Sequence, residues 1–518
     1  MYDPSWIVEQ QQLVARGKIF RRFVEPLHLM YTGPSLACPP GGKTIAIDKD
    51  HWILPRAENT DSEVIIDFRE TLREHPNWLR TDDNVADNSE TANSEYHEDA
   101  RVPLQLWSSS DDRKPKFEIV EKADKDTTVE EWREASFEKE NPFLFSYHNS
   151  PVGSRSHIDS FSKEEFALLP DRAFAFVLRK REFAQIHVDE RYLYEIEAPK
   201  DGFNNLKLKK GHKQMVQSLV QTHFETKTRA AENPHRRRER DFDVVRGKGR
   251  GLIILLHGAP GTGKTSTAEC VAESNGKPLL SIVCGDLGMT PEKVEASLNV
   301  RFRQAEHWDC VLLLDEADVF LASRDRHDLK RNSLVAVFLR ILEYYTGILF
   351  LTTNRVGTFD EAFRSRIHMW LYYPPLDKLQ TLAIWQMNLQ RLHERRPGKI
   401  KADWDELKKF AEWHFDSNEP NDSCWNGRQI RNAFQTAVAL AEYDTNVQHL
   451  KDGVSTRESV VDLAVKYFNK VANASKDFDR YLTKTVGNRT AADLARGKQE
   501  RMDHMDTRED LGGYGKEF

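Results

Sequence analysis

Five short apolar runs punctuate the middle of the chain: Leu252–Leu256, Leu279–Val283, Val311–Leu314, Ile348–Thr352 and Met369–Tyr372. Each is almost continuously apolar rather than alternating, which is the pattern of a strand covered on both faces, as in a parallel sheet. Helical periodicity lies between them, over Thr265–Ser274 and Asn332–Tyr344 among others. After Pro375 the strand-like runs stop. Leu376–Leu392, Asp405–Phe415, Gly427–Asp444 and Ser459–Ala474 each carry helical spacing and predict an all-α module.

Upstream the pattern is mixed. Trp6–Phe23 and Val64–Trp78 carry aromatic residues, while Ala173–Leu178 and Ala184–Val188 read as strands of a small sheet. His212–Phe224 places Met215, Val216, Leu219 and Val220 on one helical face. Thr81–Ala100 is acidic and nearly free of apolar residues, which predicts a disordered loop. Asp111–Asn141 is charge-dense, with one short helix expected around Trp132. Lys227–Arg240, with the basic cluster His235–Arg240, reads as a linker. The domain limits expected are an N-terminal α+β region over 1–225, a basic linker over 226–250, an α/β domain over 251–375, a helical lid over 376–475 and a polar tail over 476–518.

Composition narrows the class. Lys and Arg number 75 against 82 Asp and Glu, a net charge of −7, so a global basic surface for nucleic acid is absent. Charged residues are 30% of the chain and hydrophobic ones 39%, a balance that leaves parts of it unpacked. The five cysteines lie far apart and form no CxxC pair, which argues against a zinc site or a disulfide framework. No signal peptide is visible, and no apolar run approaches the roughly 20 residues needed to cross a bilayer. A soluble intracellular protein is expected, cytoplasmic or nuclear, with no membrane partner.

The chemistry concentrates at the strand ends. Gly258-Ala259-Pro260-Gly261-Thr262-Gly263-Lys264-Thr265, followed by Ser266, fits GxxxxGK[ST] directly after an apolar strand and before a helix. The glycines let the backbone fold around phosphate, so that N–H groups and a helix N-terminus face the anion. Lys264 reaches the β- and γ-phosphates of a nucleotide, and Thr265 offers a hydroxyl to Mg²⁺. Val311–Asp315 ends in Asp315-Glu316. Asp315 is the candidate Mg²⁺ residue beside Thr265, and Glu316 the candidate to polarise an attacking water. Asp318 is open between a structural and an interfacial role. Asn354, ending the next strand, is the candidate to position that water. The fold class that follows is an α/β P-loop NTPase core, a parallel sheet with helices on both faces, then an all-α lid, after a mixed α+β N-terminal region.

These residues together resemble the AAA+ ATPases over roughly Gly251 to Ala437. The resemblance implies ATP and Mg²⁺ as ligands, ATP hydrolysis, and a homo-oligomer, a hexameric ring. Phe359-Asp-Glu-Ala-Phe-Arg364-Ser-Arg366 resembles the family's arginine-finger segment, shortened and without its Pro-Gly. It implies Arg366, with Arg364, as groups acting on the nucleotide of a neighbouring subunit. Asn426-Gly427-Arg428 resembles the start of the family's lid helix, which implies Arg428 as a phosphate contact in cis. A narrower similarity is to fungal AAA ATPases with an N-terminal domain of unknown function, whose end Asp171–Phe183 resembles. One departure stands out: Cys284–Val294 holds no aromatic residue where the family's polypeptide-gripping loop has one, and Met289 is the only large apolar side chain suited to that place. Three uses of hydrolysis are consistent with the sequence: remodelling of a protein client recognised by the N-terminal region, a slow nucleotide-gated scaffold, and a nucleic-acid motor. Only His235–Arg240 and Arg246–Arg250 support the last.

Overall fold

The computed structural model describes residues 4–37, 46–48, 51–53, 57–75, 101–106, 116–121, 162–196, 210–232, 251–288, 290–321, 328–355, 359–419, 423–452, 460–485, 493 and 497–498. The acidic stretch 81–100, the helix expected near Trp132, Cys38, Met289, both basic clusters and most of the tail lie outside them. The chain divides into two compact units, Met1–Glu197 and Ala198–Phe518.

In the first unit, Leu27–Ala37 pairs antiparallel with both Ala57–Ile66 and Glu182–His187. Arg172–Val177 joins Ala57–Ile66 to Glu182–His187, so the four strands close on themselves, and Leu193–Tyr194 adds to Leu27–Ala37. Alternate residues point to opposite faces of a strand, so one set fills the interior. That set is Leu29, Tyr31, Val64, Ile66, Ala175, Val177, Ala184 and Ile186. Among them, the Tyr31 hydroxyl donates to the Pro34 carbonyl at 2.5 Å. The opposite face carries Ile65, Phe176 and Phe183, also buried. A short helix, Phe68–Glu74, packs on that side and is capped by Asp67, whose carboxylate accepts the Glu70 N–H at 3.0 Å. Two further antiparallel hairpins pair 46–48 with 51–53 and 101–106 with 116–121.

The second unit opens with helix α1 (Lys210–Glu232) and continues as β1 (Leu252–Gly258), α2 (Lys264–Ser274), β2 (Leu279–Val283), α3 (Pro291–His307), β3 (Val311–Asp315), α4 (Leu329–Leu342), β4 (Ile348–Thr353) and β5 (Met369–Tyr373). All neighbouring strands are parallel, in the order β2-β3-β4-β1-β5. The expected strands are therefore all present, and every residue of β4 is buried, as a doubly covered strand requires. One face packs Ile254, Leu313 and Phe350 against Ala268, Val271 and Ala272 of α2 and against Val216 and Val220 of α1. On the other side α3 packs on β3 and α4 on α3.

Helix α1 differs from expectation in two ways. It belongs to the second unit, whereas the sequence pattern groups 210–225 with the N-terminal region. Its buried stripe is also narrower: Val216 and Val220 are fully buried, while Met215 and Leu219 remain exposed. Its C-terminal end is fastened by Lys227, which donates to Asp309 at 2.6 Å, and Lys277 pairs with the same carboxylate.

The lid comprises α5 (Lys378–Arg395), α6 (Trp404–Asn418), α7 (Gly427–Asp452) and α8 (Val465–Thr485). Trp385 lies at its centre, stacked on Trp425 and ringed by Phe410, Phe434 and Phe468. The lid is not wholly helical, because Ile400–Lys401 and Val461–Asp462 form a small parallel ladder. Two paired residues are too few to leave a periodic signal in the sequence. Helix α8 also runs past the expected lid limit of 475.

Candidate active site

Parallel strands β1, β3 and β4 all end on the same side of the sheet, which brings three stretches of distant sequence together. The loop after β1 turns sharply. Gly258 has φ +138° and a Cβ there would overlap the Tyr373 backbone, which pairs with it in β5. Gly263, with φ +99°, is the N-cap of α2 and supplies no side-chain cap, so the helix opens with its N–H groups uncapped. The Thr262 hydroxyl closes the loop on the Ala259 carbonyl at 2.8 Å. Lys264 is buried, and its ammonium donates to the carbonyls of Gly258 at 3.0 Å and Ala259 at 2.7 Å. A cation wrapped by a loop that ends in a helix N-terminus is suited to polyphosphate. Ala259 and Pro260 lie on the loop, and Ser266 is exposed on the first turn of α2.

Thr265 and Asp315 meet: the hydroxyl is 3.1 Å and 3.3 Å from the two carboxylate oxygens. An alcohol and a carboxylate converging beside a phosphate loop form the oxygen donor set that Mg²⁺ takes, so these residues fit the ion. Glu316, next in the chain, is exposed, with φ +56°, a left-handed conformation uncommon for a residue with a Cβ. Its N–H donates to the Thr352 hydroxyl at 3.0 Å, and its carbonyl accepts from the Cys284 thiol at 3.0 Å. Burial, then Asp318 and Glu316, push the Cys284 thiol up to about 12, so it remains a donor at neutral pH.

Asn354 sits where β4 ends. Its N–H donates to Asp318 at 3.2 Å, and the Thr353 hydroxyl donates to the same carboxylate. Asp318 thus holds the end of β4, which gives it the structural one of its two expected roles. The Asn354 side-chain oxygen is buried without a hydrogen-bond partner among the described residues. An orphaned buried acceptor at a strand tip is a place for a donor such as water.

The two arginines part company. Arg366 donates to the Ala362 carbonyl at 2.8 Å and pairs with Glu343 of its own chain. Arg364 is exposed and lines an open groove of about 580 Å³ with Phe359, Glu361 and Trp370. From the lid, Gly427 donates its N–H to the Gly261 carbonyl at 3.1 Å, and Asn426 occupies the space a Cβ on Gly261 would need. Arg428 follows immediately, exposed on the first turn of α7.

Several participants were not read from the sequence. Thr352 carries no motif, although a hydroxyl ending an otherwise apolar strand needs a partner and is a usable signal, and Asn426, which opens the lid segment, gives no sign there of its contact with Gly261. His257 precedes the loop; burial and then Lys264 bring its pKa down to about 4, so it adds no charge beside the phosphate site at neutral pH. Glu269 on α2 is raised by burial and then by Asp315, with Arg431 of the lid opposing.

Among the described residues no helix is long and apolar enough to cross a membrane, and no cluster of three or more His, Cys, Asp or Glu is placed to hold a metal. Residues 254–375 match the family "ATPase family associated with various cellular activities (AAA)", and residues 376–489 match the "Fungal AAA+ ATPase lid domain". The human ATPase family AAA domain-containing protein 3B is 26% identical over 245 residues, 44% of this chain and 32% of that protein. The Cell division cycle protein 48 homolog of Archaeoglobus fulgidus is 27% identical over 252 residues, 46% of this chain and 31% of that one. The Cell division control protein 48 homolog B of Arabidopsis thaliana is 29% identical over 223 residues, 40% of this chain and 36% of that one. The chain spans about a third of the length of these curated relatives.

Proposed function

Residues 254–489 belong to the AAA+ ATPases, and from that premise we propose that this chain binds ATP with Mg²⁺ and hydrolyses it as part of a homo-oligomeric ring. The observation that carries the reading is the meeting of Thr265 and Asp315 at 3.1 Å, at the mouth of the loop that wraps Lys264. Lys264 leaves its two loop carbonyls for the β- and γ-phosphates, and the uncapped N-terminus of α2 binds the remaining phosphate charge. Thr265 and Asp315 are the residues that would hold Mg²⁺, which would supply positive charge to offset that of the phosphates. Glu316 orients the attacking water and accepts its proton, with the free acceptor of Asn354 fixing the water's position. Arg428, on the lid turn beside Gly261, contacts phosphate in cis.

Completion in trans falls to Arg364 rather than Arg366. A guanidinium engaged with Glu343 is not available to a neighbour, whereas the exposed one on the groove is. The work that hydrolysis drives is remodelling of a protein client recognised by residues 1–197, the client being retained when Glu316→Gln stalls the cycle. Absence of an aromatic residue in Cys284–Val294 argues against threading of an unfolded chain through the ring.

Calorimetric titration of the full chain with ATP tests the binding half. Affinity is expected to strengthen with Mg²⁺ and to be lost in Lys264→Ala. Equal affinity in the variant and the wild type would remove the phosphate loop from the account.

A further inference from the structure

Resting on the ATPase reading of this site, we infer that Thr352 is a positioning residue that joins the metal-binding carboxylate to the water-activating one. Its side chain is buried at the end of β4, with 2% exposure. The hydroxyl donates to Oδ1 of Asp315 and accepts the N–H of Glu316 at 3.0 Å. The Thr352 carbonyl accepts the next N–H, that of Ala317, at 2.9 Å. A single residue of the neighbouring strand therefore holds three consecutive positions of the Asp315-Glu316-Ala317 turn.

The physical need is specific. Strand β3 pairs with β4 only as far as Leu314 with Leu351 and with β2 only as far as Asp315 with Val283, so from Glu316 onward the ladders no longer hold the backbone. Glu316 then enters the left-handed region at φ +56°, which costs roughly 1 kcal/mol or more for a residue with a Cβ. A buried acceptor aimed at the Glu316 N–H offsets that cost and selects the turn. The same hydroxyl uses its proton on Asp315, leaving the carboxylate oriented toward Thr265, 3.1 Å away on the phosphate loop. Asp315 and Glu316 are thus aligned by one oxygen atom, and the geometry of metal holding and of water activation is set together. A Ser keeps that oxygen, whereas a Val keeps the β-branched strand shape and lacks it.

The test compares Thr352→Val and Thr352→Ser in the full chain. Each is assayed for turnover at varied ATP and Mg²⁺, and for ADP affinity in Mg²⁺ and in EDTA. Thr352→Val is expected to lower kcat by about 10²-fold, the scale of a misplaced catalytic group, with KM for ATP changed less than about 3-fold. ADP affinity in EDTA, which depends on the phosphate loop, is expected to match the wild type, while the gain on adding Mg²⁺ shrinks. Thr352→Ser restores both. Wild-type kcat and Mg²⁺ response in Thr352→Val would overturn the inference, as would Ser as impaired as Val, which would mean that packing alone matters. A wild-type chain that binds ADP and hydrolyses no ATP overturns the ATPase reading instead. The Mg²⁺-dependent gain in ADP affinity still decides the role of Thr352 in that case.

Discussion

Arg366 closes on Glu343, the residue that caps α4 in the same chain. Arg364, two positions earlier, is exposed on a groove. The sequence resemblance implies both as fingers for a neighbouring subunit, and their surroundings separate them. Arg364→Ala is expected to leave the thermal midpoint unchanged and to lower turnover by about 10³-fold, the scale for loss of an arginine finger. Arg366→Ala removes the pairing with Glu343 and the hydrogen bond to the Ala362 carbonyl, and is expected to cost about 1 kcal/mol of stability in urea. Mixing Arg364→Ala with Lys264→Ala chains is expected to recover part of the activity, because a trans site needs one intact part from each. No recovery on mixing would place Arg364 outside the neighbour's site.

Gly261 and Asn426 bring the phosphate loop and the lid into contact. Gly261→Ala combines a φ of +76° with an overlap onto the Asn426 side chain. A loss of about 1–3 kcal/mol and a large fall in turnover are expected. Asn426→Ala alone costs about 1 kcal/mol, because its side chain accepts the Gln429 N–H at 3.0 Å at the start of α7. In the double variant the overlap is gone, so the combined loss is expected to be smaller than the sum of the two. Simple additivity in urea denaturation would show that the two residues do not press on each other.

Two histidines give stability a pH dependence. Burial, followed by Lys264 for His257 and Lys476 for His414, brings both down to about 4 in the folded chain. An unfolded chain protonates these rings near 6.5. Between those values the unfolded state binds protons that the folded state does not, so acidification favours unfolding. The urea midpoint is expected to hold above pH 6.5 and to fall toward pH 4. His414→Gln should flatten that slope even though its ring contact with Trp425, with centroids 4.1 Å apart, is lost. An unchanged slope in the variant would remove His414 from the effect.

Legibility followed the strength of the local signal. The three central strands were readable because burial on both faces leaves near-uniform apolar runs, the two edge strands, buried at alternate positions, because their runs are apolar as well, and the phosphate loop because its glycines are needed by the backbone itself. The stripe on α1 was overread: Met215 and Leu219 share helical spacing with Val216 and Val220, but periodicity cannot report how wide a face its neighbour covers. Thr352 carries no motif and Asn426 only a place in the lid segment, since their roles arise from which strand and which helix the fold sets beside the loop. The pairing of Arg366 with Glu343 spans 23 residues and depends on how α4 ends, which no spacing rule encodes.

The central claim is hydrolysis at a site where Glu316 activates water and Lys264 holds phosphate. Phosphate release from ATP by the full chain, compared between wild type and Glu316→Gln at saturating Mg²⁺, tests it most directly. Turnover in the wild type is expected, with a fall of at least about 10²-fold in the variant while its affinity for ATP is retained. Equal release from both proteins would contradict the account.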